Sequence, residues 1–454
     1  MTISVSPSPI PNSSEVSLAT TLLDRDAYLS ELLDRVSEAK TEGWLQQMRD
    51  RAASWVRRST LPTTRDEEWR FTDLSDLRQV KFSIPTPSGI SVQSQTLSET
   101  ANSRLVFVNG SYAPELSAIA SLPDGVVISN LADLPVAYSQ RVQQYLAQSE
   151  GALEVFTALN TAGINDVAVI WVPKNVVVET PIHLVFIAAG EAPTISLPRC
   201  LVVAESGAQV TLVEEYKNRT DAKSAKEEVY FTNAVTEIFV EENAQVNHTR
   251  LELDSTEGFH IGKTAVTQAR YSRYICNAIS LGARLSRHNL EILQTGEETE
   301  TTLNGLTIIG GNQLADTHSA IALNYPHGRT QQLHKTIVGD RAHAVFNGKV
   351  FVPKPAQLTD ASQLNRNLLL SSKARIDTKP QLEITADNVK CAHGATVSQL
   401  EDDEIFYLQS RGIDEQDARN LLINAFAAEI INQIPVASLR ERLTQSVNSL
   451  QSKA

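Results

Sequence analysis

Cys391 and His393 are the two residues of this chain best suited to metal chemistry. They are two positions apart, so on an extended chain both side chains point to the same face. Thiolate sulfur and imidazole nitrogen together suit iron, zinc or an iron-sulfur cluster. Two ligands cannot complete a tetrahedral site, so the others would come from elsewhere in the fold or from a partner. Spacing alone favours a simpler interpretation, a buried cysteine beside a hydrogen-bonded histidine.

Four histidines form a second group of potential ligands, and they are spaced by 9, 7 and 9 residues: His318, His327, His334 and His343. Imidazole is a common metal ligand, but these spacings match no compact ligand motif. Stacked strands could still bring the rings together. We predict structural or surface histidines.

Three carboxylates of the same region could supply the acid and base of a glycoside-cleaving enzyme: Glu300, Asp316 and Asp340. The sequence does not fix their separation. A carbohydrate-active β-helix enzyme, a lyase or glycosidase, is therefore the alternative function. The low aromatic content of 6% and the lack of a recognisable export signal count against it.

The segment from Gly258 to Thr264 resembles a phosphate-binding loop but has three residues between its glycines, where the motif needs four. The sequence after it alternates like a strand, so no helix N-terminus is available to hold a phosphate. We predict that this chain binds no nucleotide and that any ATP hydrolysis belongs to another subunit.

The composition restricts the classes of protein that remain. A chain of 454 residues with 42% hydrophobic residues can bury a large core. The net charge of −13 argues against binding to nucleic acid. Three scattered cysteines, Cys200, Cys276 and Cys391, exclude a disulfide framework and a self-contained four-cysteine site and indicate a reducing compartment. No apolar run is long enough for a membrane span.

The chain divides into four segments. We expect a flexible tail at residues 1–17, because its Ser- and Pro-rich sequence lacks the features of a secretory signal. Residues 18–163 predict a helical domain with a linker near residues 83–103. This reading places the protein in the cytoplasm, with the plastid stroma as the less favoured alternative if the tail were a transit peptide.

Residues 164–394 alternate apolar and polar residues in short runs, which predicts β-strands. Small-residue corners recur around Ala208, Ala244 and Ala283, with spacings of 36 and 39 residues. We predict a mainly β protein with a parallel β-helix core. A β-sandwich would need more hairpin signals than the chain contains: Asn109-Gly110, Asp124-Gly125, Asn304-Gly305 and Asn347-Gly348.

Residues 395–454 return to the helical period, with Asp414 as an N-cap and Pro435 as a helix end. The predicted helices carry an apolar stripe. That stripe could pack on the β-core of the same chain or on another protein, and the sequence leaves both open.

Six blocks of sequence resemble one family, in the order that the family has them. They include DEEWRFTDL and VKCAHGATV, and their positions are Asp66–Leu74, Val345–Val350, Gln363–Ser371, Ile376–Ile384, Val389–Val397 and Ile405–Ile413. The chain is identified by these blocks as similar to the SufD branch of the SufB/SufD iron-sulfur cluster assembly family. Ala392 and Ser398 depart from the residues common there, serine and glycine, and both changes are small.

The resemblance implies a right-handed parallel β-helix between N- and C-terminal helical domains. It also implies a non-enzymatic scaffold that pairs with a SufB-like paralogue and docks a SufC-like ABC-type ATPase through its C-terminal helices. A transient cluster would form at the paralogue interface, with His393 as the ligand and Cys391 as its neighbour. The sequence does not decide the cluster type, the sulfur donor, whether reduced flavin serves the complex, or whether the chain alone forms a homodimer.

Overall fold

The computed structural model describes residues 26–38, 41–85, 96–120, 122–149, 151, 154–190, 193–219 and 228–451. The expected flexible tail at residues 1–17 and part of the expected linker lie outside the described residues. Helices lie at both ends of the described chain, and strands fill the middle.

The N-terminal part combines helices with short strands. Its first helix begins after Asp26, whose carboxylate accepts hydrogen bonds from the backbone N–H groups of Tyr28 and Leu29 and so caps the helix. The elements are α1 (Ala27–Val36), α2 (Gly43–Arg58), α3 (Ser75–Arg78), β1 (Ser103–Val108), β2 (Ser111–Tyr112), β3 (Ala118–Ile119), β4 (Val127–Asn130), α4 (Val136–Val142) and α5 (Val155–Ala162).

The middle of the chain is a parallel β-solenoid of about 7 turns, as the period of two in the sequence predicted. Its strands are β5 (Ala168–Val172), β6 (Ile182–Ala188), β7 (Thr194–Ser196), β8 (Arg199–Ala204), β9 (Gln209–Asn218), β10 (Tyr230–Val240), β11 (Gln245–Leu253), β12 (Phe259–Gln268), β13 (Arg273–Ser280), β14 (Leu285–Gln294), β15 (Glu300–Ile309), β16 (Leu314–Ala322), β17 (Arg329–Val338), β18 (His343–Val352), β19 (Asp360–Leu369), β20 (Arg375–Ile384) and β21 (Lys390–Gln399). β21 extends five residues beyond residue 394, the predicted end of the core.

From β8 onward, successive strands alternate between two sheets that face each other. The first sheet has the order β1-β6-β9-β11-β13-β15-β17-β19-β21, and β2 and β3 pair with β1 at its start. The second sheet has the order β4-β5-β8-β10-β12-β14-β16-β18-β20, with β7 beside β10. From β6 onward the partners are parallel, which excludes the β-sandwich.

The register corrects the repeat that the small-residue corners suggested. Ala208 and Ala244 do precede neighbouring strands of the first sheet, where Gln209 pairs with Gln245. Ala283, however, precedes β14 of the second sheet, so the spacing of 39 compares opposite sides of the solenoid. The next strand of the first sheet begins at Arg273, which pairs with Gln245 only 28 residues away.

The interior between the sheets is partly apolar and partly polar. Stacked aliphatic side chains such as Ile170, Val202 and Ile238 form the largest apolar cluster. Beside them lie buried polar groups that bond one another, including Glu214, which accepts from the His248 ring of the neighbouring strand at 2.9 Å and from the Thr236 hydroxyl of the opposite sheet. Because Glu214 and His248 are each hydrogen-bonded, their burial is compatible with a stable fold.

Glycines inside strands make room for these polar side chains. Asn304-Gly305 and Asn347-Gly348 lie within β15 and β18 and are not turns. A Cβ at Gly305 would overlap the His334 ring, and one at Gly348 would lie 2.8 Å from Cδ of Gln363. Of the Asn-Gly pairs, Asn109-Gly110 does connect two antiparallel strands, β1 and β2.

The two groups of helices cover different outer faces. α1, α2 and α5 pack on the second sheet around Phe231 and Phe259. The C-terminal helices are α6 (Asp402–Gln409), α7 (Glu415–Ile431) and α8 (Ala437–Gln451). The apolar side chains of α7 and α8 pack on the outer face of the first sheet around Leu251, Ile279 and Leu306. Much of the apolar stripe of the C-terminal helices therefore packs on the β-core of the same chain, which was one of the two alternatives that the sequence left open.

Two buried charges anchor the C-terminal helices. Lys335 of β17 donates to the Phe426 carbonyl oxygen at 2.9 Å and forms an ion pair with Glu429 of α7. Arg442 of α8 donates to buried Glu215 of β9 at 2.9 Å. These bonds give the helices a fixed position on the sheet, because a buried charge without its partner is costly.

Candidate functional site

The last turn of the solenoid is open. Among the described residues, β20 and β21 each pair with one neighbouring strand only, β18 and β19. Their free edges present unpaired backbone groups, and Val397 of β21 is 50% exposed. An unpaired strand edge of this kind is a template for pairing with another chain.

The pair predicted from the sequence lies on this last strand. Cys391 and His393 both belong to β21, and their register partners on β19 are Ala361 and Gln363. Gln363 and Cys391 contact the interior, so His393 lies on the inward face as well. His393 is nevertheless exposed, because no further turn covers it.

The two side chains differ in surroundings. Cys391 is partly buried against the apolar interior. Burial raises the pKa of its thiol, which favours the protonated form at neutral pH. His393 is the more accessible donor of the two. The arrangement offers one or two ligands facing out of the open end, and a second chain on that end could supply the others.

The four histidines lie in four different environments and do not form one cluster. His318 lies outside the second sheet between Glu68, at 3.3 Å, and Asp316, at 2.9 Å. The other three are His327 on an exposed loop, His334 buried in the interior and His343 bonded to Asp377 at 2.7 Å. They fit the structural and surface roles that their spacing predicted.

The three carboxylates do not form an acid and base pair. Glu300 begins a strand of the first sheet and bonds Arg273 at 3.1 Å. Asp316 is buried on the second sheet with Arg287 at 2.5 Å, and Asp340 accepts from the backbone of Gly311 at 2.7 Å. Each carboxylate is bonded to a different partner, so the three do not support the alternative of a glycoside-cleaving enzyme.

The segment from Gly258 to Thr264 is mostly strand, as its alternation predicted. It forms the start of β12, and the Lys263 ammonium pairs with Glu291 at 2.6 Å. Thr264 points inward to the ring of His288 at 3.0 Å.

Sequence reasoning missed one buried group with metal-ligating side chains, Glu252, Asp254 and His260. The Arg250 guanidinium occupies it. It donates to Glu252 at 3.2 Å and to Nε2 of His260 at 2.6 Å, while Nδ1 of His260 donates to Asp254 at 2.8 Å. The only sequence signal was the alternation of polar residues on β11. The donors are satisfied, so the group is a structural network.

The Asp66–Leu74 segment proves to be a structural clasp on the second sheet. Trp69 is buried and lies over the Arg287 guanidinium, 3.9 Å from the ring centroid. Arg287 also donates to the Glu68 carbonyl oxygen at 2.8 Å, and Thr72 bonds Asp316. Burial alone would raise the pKa of Asp316, but Arg287 and His318 hold it below its usual value, so the carboxylate is charged.

Two family models cover nearly the whole chain. One is described as the SufBD core domain of the SUF system for FeS cluster assembly and matches residues 186–426. The other, the N-terminal region of SufBD proteins, matches residues 30–184.

Several relatives match over most of their length. An iron-sulfur cluster assembly SufBD family protein of Synechocystis sp. is 50% identical over 93% of this chain and 95% of its own. Protein ABCI7, chloroplastic, of Arabidopsis thaliana is 36% identical over 89% and 86%. The iron-sulfur cluster assembly protein SufD of Escherichia coli is 35% identical over 85% and 88%. No helix in the described part of the chain is long and apolar enough to cross a bilayer.

Proposed function

The chain belongs to the SufBD family of iron-sulfur cluster assembly proteins, and from that premise we propose that it is a non-catalytic scaffold. Family membership implies work within a Suf-system complex. In our proposal the open end of the solenoid pairs with a SufB-like paralogue, and a nascent cluster assembles between the two chains. The observation that carries the proposal is the inward-facing pair Cys391 and His393 on the last strand, which has one free edge in the described structure.

The cluster in this proposal is cargo that the complex builds and releases. His393 supplies an accessible imidazole, and the paralogue supplies the thiolates that this chain lacks. Cys391 lies beside the site, where its partly buried, protonated thiol is the weaker ligand. The compartment stays a prediction, the cytoplasm or, as the chloroplastic relative keeps open, the plastid stroma.

A change of His393 to Asn tests the cluster site. In a complex co-expressed with the paralogue and the ATPase and purified without oxygen, we expect iron and acid-labile sulfide to fall by about tenfold or more, because even a supporting residue of a metal site has an effect of that size. The matched control is His327→Asn, since His327 is exposed on a loop that contributes no residue to the candidate site and Asn tolerates its positive φ. Unchanged iron in His393→Asn would remove this residue from the proposal.

The ATPase is proposed to dock on the part of the C-terminal helices that the solenoid leaves uncovered. Phe406 and Tyr407 of α6 are 71% and 56% exposed, while the apolar faces of α7 and α8 are buried. Exposed aromatic pairs are typical of binding hot spots. A movement of the ATPase would reach the cluster site through Lys335 and Glu429, because Lys335 lies on β17, two strands from β21 in the first sheet.

A double change of Phe406 and Tyr407 to Ala is expected to weaken ATPase binding by about thirtyfold or more, since the loss of even one hot-spot aromatic costs about 2 kcal/mol. Binding to the purified ATPase can be measured by titration calorimetry. Val136→Ala is the control, because Val136 is 88% exposed on the N-terminal domain. The docking surface is wrong if the double variant and the control bind the ATPase equally well.

A further inference from the structure

A column of polar side chains runs along the interior to the candidate cluster site. Gln332 pairs in register with Gln363, and Gln363 pairs with His393. Strands of one sheet lie about 4.8 Å apart, so these three side chains are stacked on the same inward face. The last member of the column is the exposed histidine.

The hydrogen bond between the two amides of this column runs away from His393, from Gln363 to Gln332. Gln363 donates from Nε2 to Oε1 of Gln332 at 2.8 Å, and Gln332 donates from Nε2 to the Ser319 hydroxyl at 2.8 Å. Oε1 of Gln363 has no partner in the described structure, although the residue is only 2% exposed. A buried carbonyl oxygen without a donor is unfavourable, and each such group calls for a specific explanation.

The amide of Gln363 is held in place. It fills the space that the missing side chain of Gly348 leaves on the opposite sheet. The Phe346 ring borders the same space. In a ladder of stacked amides, each group donates to one neighbour and accepts from the other. Gln363 already donates to Gln332, so the acceptor that such a ladder leaves for the next member in register, His393, is its Oε1.

We propose that Gln363 positions the His393 imidazole by accepting a hydrogen bond from one ring N–H. The other ring nitrogen then presents its lone pair to the open end of the solenoid. This makes Gln363 a positioning residue, comparable to the groups that orient metal-binding histidines from behind. The inference rests on the proposed function, because only a ligand at the open end gives the orientation a purpose.

The tautomer of His393 tests this inference on the free full-length chain, without iron. Nitrogen-15 NMR of histidine-labelled protein near pH 8.5, where an ordinary imidazole is neutral, reports the two tautomers separately. His393→Asn identifies the signals. We expect one dominant tautomer in the wild type and a mixture in Gln363→Met, which keeps the size of the side chain and removes the acceptor.

Asn367→Leu is the matched control. Asn367 lies on the same strand, is equally buried and also has an unpartnered amide oxygen, but its register partner is Val397. It should leave the His393 tautomer unchanged. A second variant, Gln363→Glu, keeps an oxygen acceptor and should retain the wild-type tautomer. A mixture of tautomers in the wild type overturns the inference even if Gln363→Met does not fold.

Cluster content separates this inference from the proposed function. If His393→Asn loses iron while Gln363→Met keeps the wild-type tautomer, the proposed function stands and the role of Gln363 is wrong. If Gln363→Met shifts the tautomer while His393→Asn keeps its iron, Gln363 does orient the ring, and the cluster site is wrong.

Discussion

Replacing Trp69 by Ala is expected to lower the free energy of unfolding by about 4 kcal/mol. The indole is 7% exposed, lies over the Arg287 guanidinium and contacts the Phe156 ring at a centroid distance of 5.5 Å. Its removal creates a cavity between the N-terminal domain and the second sheet. It also takes away the aromatic face that covers a buried cation, which adds to the loss.

The measurement is denaturant unfolding followed by circular dichroism. Trp55→Ala is the matched control, because Trp55 lies on α2 at the edge of the same apolar cluster and is only partly buried. We expect it to have clearly the smaller effect. If Trp69→Ala were as stable as Trp55→Ala, the Asp66–Leu74 segment would not fasten the N-terminal domain to the solenoid.

This clasp shows what the sequence could and could not reveal about a recognised motif. Asp66–Leu74 was identified by its resemblance to a family, and the resemblance carries no information about contacts. Its partners, Arg287 and Asp316, lie more than 200 residues further along the chain. Neither local propensity nor alternation predicts which strand a distant tryptophan covers, because that choice depends on how the solenoid stacks.

The strands themselves were predictable because their period of two is a local property. The length of each turn was not. Corners around Ala244 and Ala283 look alike, although they begin strands of opposite sheets. A small residue followed by a polar and then an apolar one suits the entry to a strand in either sheet, so the pattern marks corners without indicating the sheet to which they lead.

For the candidate site, the sequence predicted the shared face of Cys391 and His393 from their spacing, and the structure places both on one strand. It could not show that this strand is the last one of the described structure, since that depends on the described residues after Gln399 forming helices instead of a further strand. Nor could it show that Arg250 fills the group formed by Glu252, Asp254 and His260. Potential metal ligands that are buried beside a cation act as structural groups. Their burial depends on the tertiary structure, which the sequence alone does not reveal.

The polar interior makes a second strong prediction, for a glycine in the middle of a strand. Gly305→Ala is expected to lower the free energy of unfolding by about 3 kcal/mol, at the upper end of the usual range for overpacking. The new methyl group would overlap the His334 ring. That ring cannot move aside easily, because it stacks on Phe346 at 5.0 Å and bonds the Thr307 hydroxyl at 3.3 Å.

The His334 ring is also suited to its buried position. Burial lowers the pKa of His334 to about 4, so the ring is neutral at pH 7 and fits its enclosed position without a counter-charge. Gly339→Ala is the matched control, since Gly339 has ordinary backbone angles and its nearest neighbour to an added Cβ is the Ile309 carbonyl oxygen at 3.9 Å. We expect that variant to unfold at nearly the wild-type denaturant concentration. Equal stability of the two alanine variants would mean that the interior can repack around His334.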